Sequence, residues 1–379
     1  SLAPSEMCIR DSPYKLKDPR HMAEYNSTTG EHKKLDDDRN VEGHSVATTT
    51  AAGQPDNEPQ GVSEGMNTGG VKRPGDRVFE ILSTASATLI TVFIAAIGIF
   101  LIIRAVPALN RNAEGYLGFF TYTGPWDTSN VDEMYFGIPN LFAATVTMSV
   151  LALIIAMPVA LGVAIFLSNY APARLVKPMG FLVDMLAAVP SIVYGLWGWL
   201  VLGPVLSGFY EWIHSWAGGF FLFTVYENSP SFATARNMFT GGIVLAVMIL
   251  PIIAATAREV FVQTPKGQVE SALSLGATRW EVVRMTVLPF GLSGYISGAM
   301  LGLGRALGET MALYMVVGPS SEFRFSLFDG GTTFATAIAN AAPEFNNPIK
   351  AGAYIAAGLV LFLLTFIVNA IARAIVSKK

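Results

Sequence analysis

The chain has 379 residues, 52% of them hydrophobic and only 14% charged, where ordinary soluble chains carry roughly 25% charged residues. Net charge is −3, the single cysteine (Cys8) excludes an internal disulfide, and the four histidines (His21, His32, His44, His214) assemble no zinc or other metal set. This composition excludes an ordinary soluble enzyme and points to a chain whose main solvent is lipid.

Residues 1–75 read as a disordered acidic tail. Residues 1–70 hold 7 Lys/Arg and 12 Asp/Glu, a net of −5, while residues 71–379 hold 18 and 16, a net of +2. The tail is too polar to offset its ordering entropy. Met22 is expected to be the natural start, with residues 1–21 a non-native leftover of a gene boundary.

Glu80 and Arg104 bracket an uninterrupted uncharged run, Ile81 to Ile103. That run exceeds the roughly 20 residues needed to cross a hydrocarbon core about 30 Å thick. Five more apolar segments follow: Leu141–Leu167, Met179–Leu206, Met238–Ala257, Phe290–Val317 and Ala351–Ile371. In lipid each crossing helix satisfies its own backbone, so the expected fold is an all-α polytopic membrane protein with six transmembrane helices. Pro158, Pro190 and Pro251 fall inside spans two, three and four and predict bends, as packing geometry or as hinges.

Lys/Arg asymmetry sets the orientation. With the tail inside, the inner segments carry Lys72, Arg73, Arg77, Arg174, Lys177, Arg258, Lys266, Arg279, Arg284, Arg373, Lys378 and Lys379. The outer loops carry only Arg104, Arg111, Arg236, Arg324 and Lys350. Both termini are therefore expected in the cytoplasm. The outer aromatics (Tyr116, Phe119, Phe120, Tyr122, Trp126, Tyr210, Trp212, Trp216) read as an interfacial belt or a docking surface. His214 reads as a surface residue.

The segment 257–289, between spans four and five, predicts two short amphipathic helices on the inner face. Gly276 supplies a left-handed turn. Thr278 is an N-cap with Glu281 as its capping-box partner, and Pro289 closes the second helix. The run Glu270-Ser271-Ala272, then Gly276, then Leu288-Pro289, resembles the EAA motif of ABC importer permeases. Two positions depart from it: Ser271 stands for alanine and Thr286 for the common isoleucine. Leu186–Gly198 (LAAVPSIVYGLWG) and Gly302–Ala312 (GLGRALGETMA) resemble the phosphate-specific importer permeases, closer to the PstC-type subunit than to its PstA-type partner. The similarity covers roughly residues 76–379.

That resemblance implies a type I ABC importer permease architecture in the cytoplasmic membrane of a bacterium or archaeon. It implies a PstA-like second permease subunit, a cytoplasmic ATPase dimer that docks on Glu270–Pro289, and an extracytoplasmic phosphate-binding protein. No cofactor is expected on this chain, because it lacks a glycine-rich phosphate loop ending in Lys-Ser or Lys-Thr. ATP would be used by the partner ATPase. No nucleophile–histidine–acid set is present and no nucleic-acid partner is expected.

Arg305 and Glu309 are four apart in span five and are expected on one helix face. Charges at membrane depth face a protein interior or a water-filled path. The pair reads either as a buried ion pair that fixes helix register, or as an anion path in which Arg305 meets the anion and Glu309 balances it. Gly294, Gly298 and Gly302 form a small-residue ridge on the same helix. Asp184 is read near the inner interface, with its role open. Two other functions are kept: a permease for sulfate or molybdate, and an ion-coupled carrier using Arg305 and Glu309 as a proton relay.

Overall fold

The computed structural model describes residues 74–227, 229–320 and 324–377. The chain divides into two units, Ser1–Val71 and Lys72–Lys379, and the described residues belong to the second. The acidic tail, Met22, Cys8, the three tail histidines, Lys72, Arg73, Lys378 and Lys379 lie outside the described residues.

Among the described residues, six helical segments are long and apolar enough to cross a membrane: Pro74–Leu109, Pro139–Tyr170, Ser191–Ala217, Met238–Val262, Arg279–Leu307 and Pro348–Ala374. The first, α1 (Pro74–Leu109), has 36 residues, about 54 Å at 1.5 Å per residue, and overhangs a core of about 30 Å. Only Ala105 and Ala108 of α1 are buried. It packs on the last helix, α13 (Pro348–Ser377), where a Cβ at Gly352 would sit 2.8 Å from the Arg104 carbonyl oxygen. A short α2 (Gly115–Thr121) follows α1.

The centre of the bundle is α7 (Met238–Val262), gripped by α3 (Pro139–Ile165) and α10 (Leu288–Leu307). Lipid tails are as apolar as leucine, so close packing rather than hydrophobicity holds such helices together. On α3 the contact stripe is Met148, Ala152, Ala156, Ala160 and Ala164, at spacing four and each 0% exposed. On α10 it is the glycine ridge: a Cβ at Gly298 would lie 3.0 Å from Thr256, and one at Gly302 3.0 Å from Ile253. The ridge therefore serves packing inside this chain.

The third crossing is broken. Helix α4 (Ala173–Ala188) ends at Val189 and Pro190, whose ψ angles of 132° and 135° are extended. Helix α5 (Ser191–Trp197), a π turn at Gly198–Leu202 and α6 (Gly203–Ala217) then continue it. A Cβ at Gly180 would collide with the Arg258 guanidinium, and one at Gly203 would lie 3.1 Å from the Ala235 Cβ. Residues 180–203 thus run beside the length of α7. The helix long and apolar enough to cross is Ser191–Ala217 rather than Met179–Leu206, because Pro190 ends a helix rather than bending one. The extended backbone suits a residue preceding proline.

The fifth crossing is broken as well. Helix α10 stops at Leu307 and Gly308, and α11 (Met311–Val316) begins after Thr310. Gly302 faces Ile249 and Ile253, at the middle of α7, so this break lies near mid-depth. The two broken crossings touch. A Cβ at Gly195 of α5 would lie 2.8 Å from the Ala312 Cα of α11. Gly195→Val forces these backbones apart, an overpacking cost of about 1–3 kcal/mol. The expected result is a lower melting temperature for the purified complex; an unchanged one would show that the contact yields freely.

At the end of the bundle that carries residues 110–138, 218–237 and 318–347, two aromatic clusters close the fold. Phe119, Met134 and Phe136 form one, and Tyr210, Phe232, Phe239 and Phe328 the other. Phe119 and Tyr210 are 3% and 0% exposed, so they belong to the interior and not to a belt. Tyr116, Phe120, Trp212 and Trp216 are exposed. His214 is half-buried rather than superficial, its Nδ1 3.1 Å from the Phe223 carbonyl oxygen. Helix α12 (Phe334–Ala341) starts on a Thr333–Thr336 capping box.

Candidate functional site

Two places carry unusual chemistry. The first is the connection between α7 and α10. Helix α8 (Lys266–Ser274) buries none of its residues. It ends in a Schellman turn: the Ala277 N–H donates to the Ala272 carbonyl at 3.2 Å and the Gly276 N–H to Leu273 at 3.0 Å. Gly276 takes φ +87°, which an L side chain rarely adopts. Thr278 then caps α9 (Arg279–Val282): its hydroxyl accepts from the Glu281 N–H at 3.4 Å, and Glu281 Oε2 accepts from the Thr278 N–H at 2.7 Å.

Pro289 does not close this second helix. Residues 279–307 are one helical rod, with a π turn at Val283–Val287 and Pro289 in the first turn of α10. The local rearrangement of backbone bonds there accommodates a residue with no N–H. Glu270, Ser271, Gly276 and Pro289 are exposed, and Ala272 and Leu288 half-buried. Gln268, Ser271, Met285, Pro289 and Phe290 line an open groove of about 580 Å³. Leu275 at the tip is 89% exposed, and Trp280 and Met285 are 59% and 62% exposed. Thr278→Ala removes the cap, worth about 1 kcal/mol. The amides of 279–283 should then exchange with deuterium faster; unchanged protection would show that the cap is dispensable.

The second place is the meeting of the two breaks. Arg305 and Glu309 do not form an ion pair and do not share a helix, because Gly308 (φ −95°, ψ 3°) ends α10 between them. The Glu309 carboxylate is 8% exposed and accepts from the Ala312 N–H at 3.0 Å, so it serves the start of α11. Arg305 lies in the last turn of α10, where the helix dipole favours a cation. Arg305 is exposed in the isolated chain. On α5, Tyr194 donates to the Leu186 carbonyl at 2.8 Å, across the Pro190 break, and the same carbonyl accepts from the Val189 N–H at 3.3 Å. Asp184 is exposed on α4.

The profile of binding-protein-dependent transport system inner membrane components matches residues 156–379, which include both breaks and the α8–α9 hairpin. The chain belongs to that family. Within it the chain is a PstC-type permease. It is 51% identical over 308 residues to phosphate transport system permease protein PstC 2 of Mycobacterium tuberculosis, covering 81% of this chain and 93% of the relative. It is 51% identical over 306 residues to the PstC permease of Mycobacterium leprae, covering 80% and 94%. With the PstC permease of Pasteurella multocida it shares 41% over 292 residues, covering 75% and 88%. A crystal structure of a bacterial ABC transporter involved in the import of the acidic polysaccharide alginate matches with 16% identity and a TM-score of 0.50, over 80% of this chain and 99% of that one. That likeness shows a shared fold, the type I ABC importer permease architecture.

The two motifs, Leu186–Gly198 and Gly302–Ala312, meet through Gly195 and Ala312, although nothing in their spacing marks them as neighbours. Tyr194 had one available signal: it follows Pro190 by a single helical turn, where a hydroxyl can reach back to a carbonyl at the end of α4. Arg236, counted above only as a loop charge, turns out to line a cavity.

Proposed function

We propose that this permease is one of two membrane subunits of an ATP-driven phosphate importer, with a PstA-like second permease subunit. Both termini face the cytoplasm, so the α8–α9 hairpin does too. A cytoplasmic ATPase dimer docks on that hairpin, and an extracytoplasmic phosphate-binding protein delivers phosphate to the opposite end. The chain itself binds no cofactor; ATP is bound and used by the ATPase.

The observation that carries this reading is the hairpin. A nine-residue helix with no buried side chain is too short to persist on its own packing, and a partner surface completes it. Its capped turn transmits a push on Leu275 into the rod that carries Arg305 in its last turn. Phosphate as the substrate rests on the names of the relatives, all phosphate permeases. A guanidinium on a broken intramembrane helix suits it, since its fork of donors matches phosphate oxygens. Alternating access then follows from ATP and phosphate preferring different states.

Uptake of radiolabelled phosphate by vesicles holding the complete complex tests this. The expected uptake needs ATP and resists excess sulfate and molybdate. Uptake blocked by either competitor would change the substrate. Uptake driven by a proton gradient without ATP would replace the importer with an ion-coupled carrier.

A further inference from the structure

Two cavities adjoin at the end of the bundle opposite the hairpin. The smaller, about 180 Å³, is walled by Arg236, Leu313, Tyr314, Thr336 and Asn340. The larger, about 360 Å³, shares Pro319, Thr332 and Asn340 with it and adds Trp126 and Tyr354. Among the described residues no Asp or Glu lines either one. One guanidinium among hydroxyls and amides, as these described residues supply, is a donor set for a small oxyanion.

Arg236 is half-buried, and its Nε is enclosed with no hydrogen-bond partner. An enclosed donor without a partner costs free energy that a ligand can recover. The guanidinium carbon stands 5.4 Å from the Trp199 ring centroid. The acid of this loop, Asp329, is ion-paired elsewhere: one carboxylate oxygen accepts from the Gly330 N–H at 2.8 Å, and the other, without a hydrogen-bond partner, lies 3.7 Å from Arg324. The frame around Arg236 is tied by backbone bonds. The Gly318 N–H donates to the Arg236 carbonyl at 2.8 Å, the Gly331 N–H to Gly318 at 3.0 Å, and the Met238 N–H to Asp329 at 2.9 Å.

The small cavity and the Arg305 break sit at the two ends of α11. Leu313 and Tyr314 wall the cavity, while Glu309 caps the other end of the helix. Six residues separate the ends by about 9 Å at 1.5 Å per residue. We propose that the Arg236 cavity is a second oxyanion station, which takes phosphate at the outer mouth and hands it along α11 to Arg305. This rests on the phosphate-import reading. Occupied, the guanidinium exchanges the Trp199 ring for phosphate oxygens, so Trp199 reports the event. A phospholipid headgroup carries the same phosphate chemistry and is the other source of such a ligand.

The test uses the complete complex, purified free of phospholipid, and the emission difference between the wild type and Trp199→Phe. Inorganic phosphate should shift that difference, and Arg236→Gln should abolish the shift. In vesicles Arg236→Gln should raise KM for phosphate about tenfold, the loss of one charge-assisted hydrogen bond, with kcat within about twofold. Arg236→Lys should recover part of both, which a folding defect would not. A phosphate shift that persists in Arg236→Gln, an unchanged KM, or no phosphate shift at all overturns the station. A shift given by short-chain phosphatidylglycerol alone overturns it in favour of a lipid site. Failure of the import reading looks different: the wild type itself takes up no phosphate. An Arg236-dependent shift with sulfate would then support the station with another oxyanion.

Discussion

Arg305→Ala should reduce ATP-driven phosphate uptake by roughly 30- to 1,000-fold, the equivalent of about 2–4 kcal/mol for a cation that meets charge in a water-poor site. Arg305 lies in the last turn of α10 beside a second broken helix, and among the described residues it forms no ion pair; the Glu309 carboxylate accepts from the Ala312 N–H instead. A guanidinium held in that way is available to an anion. It is exposed in the isolated chain, so its removal should leave the melting temperature of the complex nearly unchanged. Arg305→Lys keeps the charge but loses the fork of donors, and its uptake should fall between the two. Uptake assays and thermal melting on the same preparations check this. Normal uptake by both variants would remove Arg305 from the path. A collapse in stability would instead make it a structural residue.

Leu275→Asp should detach the ATPase. Leu275 is an apolar side chain, 89% exposed, at the tip of the capped hairpin. Burying a leucine against a partner is worth about 1.5–3 kcal/mol. A carboxylate in the same place adds the cost of a desolvated charge. Affinity for the ATPase should therefore drop by well over about tenfold, while the permease itself folds as before. Gly276→Val acts differently. A branched side chain at φ +87° costs on the order of 1–3 kcal/mol of strain and loosens the Schellman turn. The ATPase should then bind weakly and couple poorly. Co-purification ratios and phosphate-stimulated ATP hydrolysis measure both effects. Full ATPase retention by both variants would show that the hairpin is not the docking element.

Much of this architecture is legible in the sequence, because membranes impose simple rules. Uncharged runs such as Ile81–Ile103 have one stable outcome in lipid, and the Gly276–Thr278–Glu281 pattern specifies its turn and cap locally. The breaks are harder to read. Pro190 and Gly308 each look like interruptions a helix can absorb, and whether the chain bends or stops there depends on a neighbour. Here the neighbours are each other's helices, α5 and α11, which touch through Gly195 and Ala312. The Arg305–Glu309 pairing fails for the same reason: spacing of four puts residues on one face only where the helix continues. Pro289 shows the converse, since a π turn lets a helix run through a proline expected to end it. The glycine ridge of α10 reads correctly as a close-packing face, but only the fold shows that its partner is α7 of the same chain.

In an alternating-access importer, the paired breaks beside Arg305 should be reached from one side of the membrane at a time. Met311, 51% exposed just beyond the second break, offers the most direct test. Met311→Cys in a Cys8→Ser background, assembled with its partners in vesicles, can be treated with a charged membrane-impermeant thiol reagent from either side. The account predicts labelling from the cytoplasmic side without nucleotide, labelling from the outer side when the ATPase is trapped with nucleotide, and protection by phosphate. A thiol that reacts with neither side in any state, or equally in all of them, would contradict it.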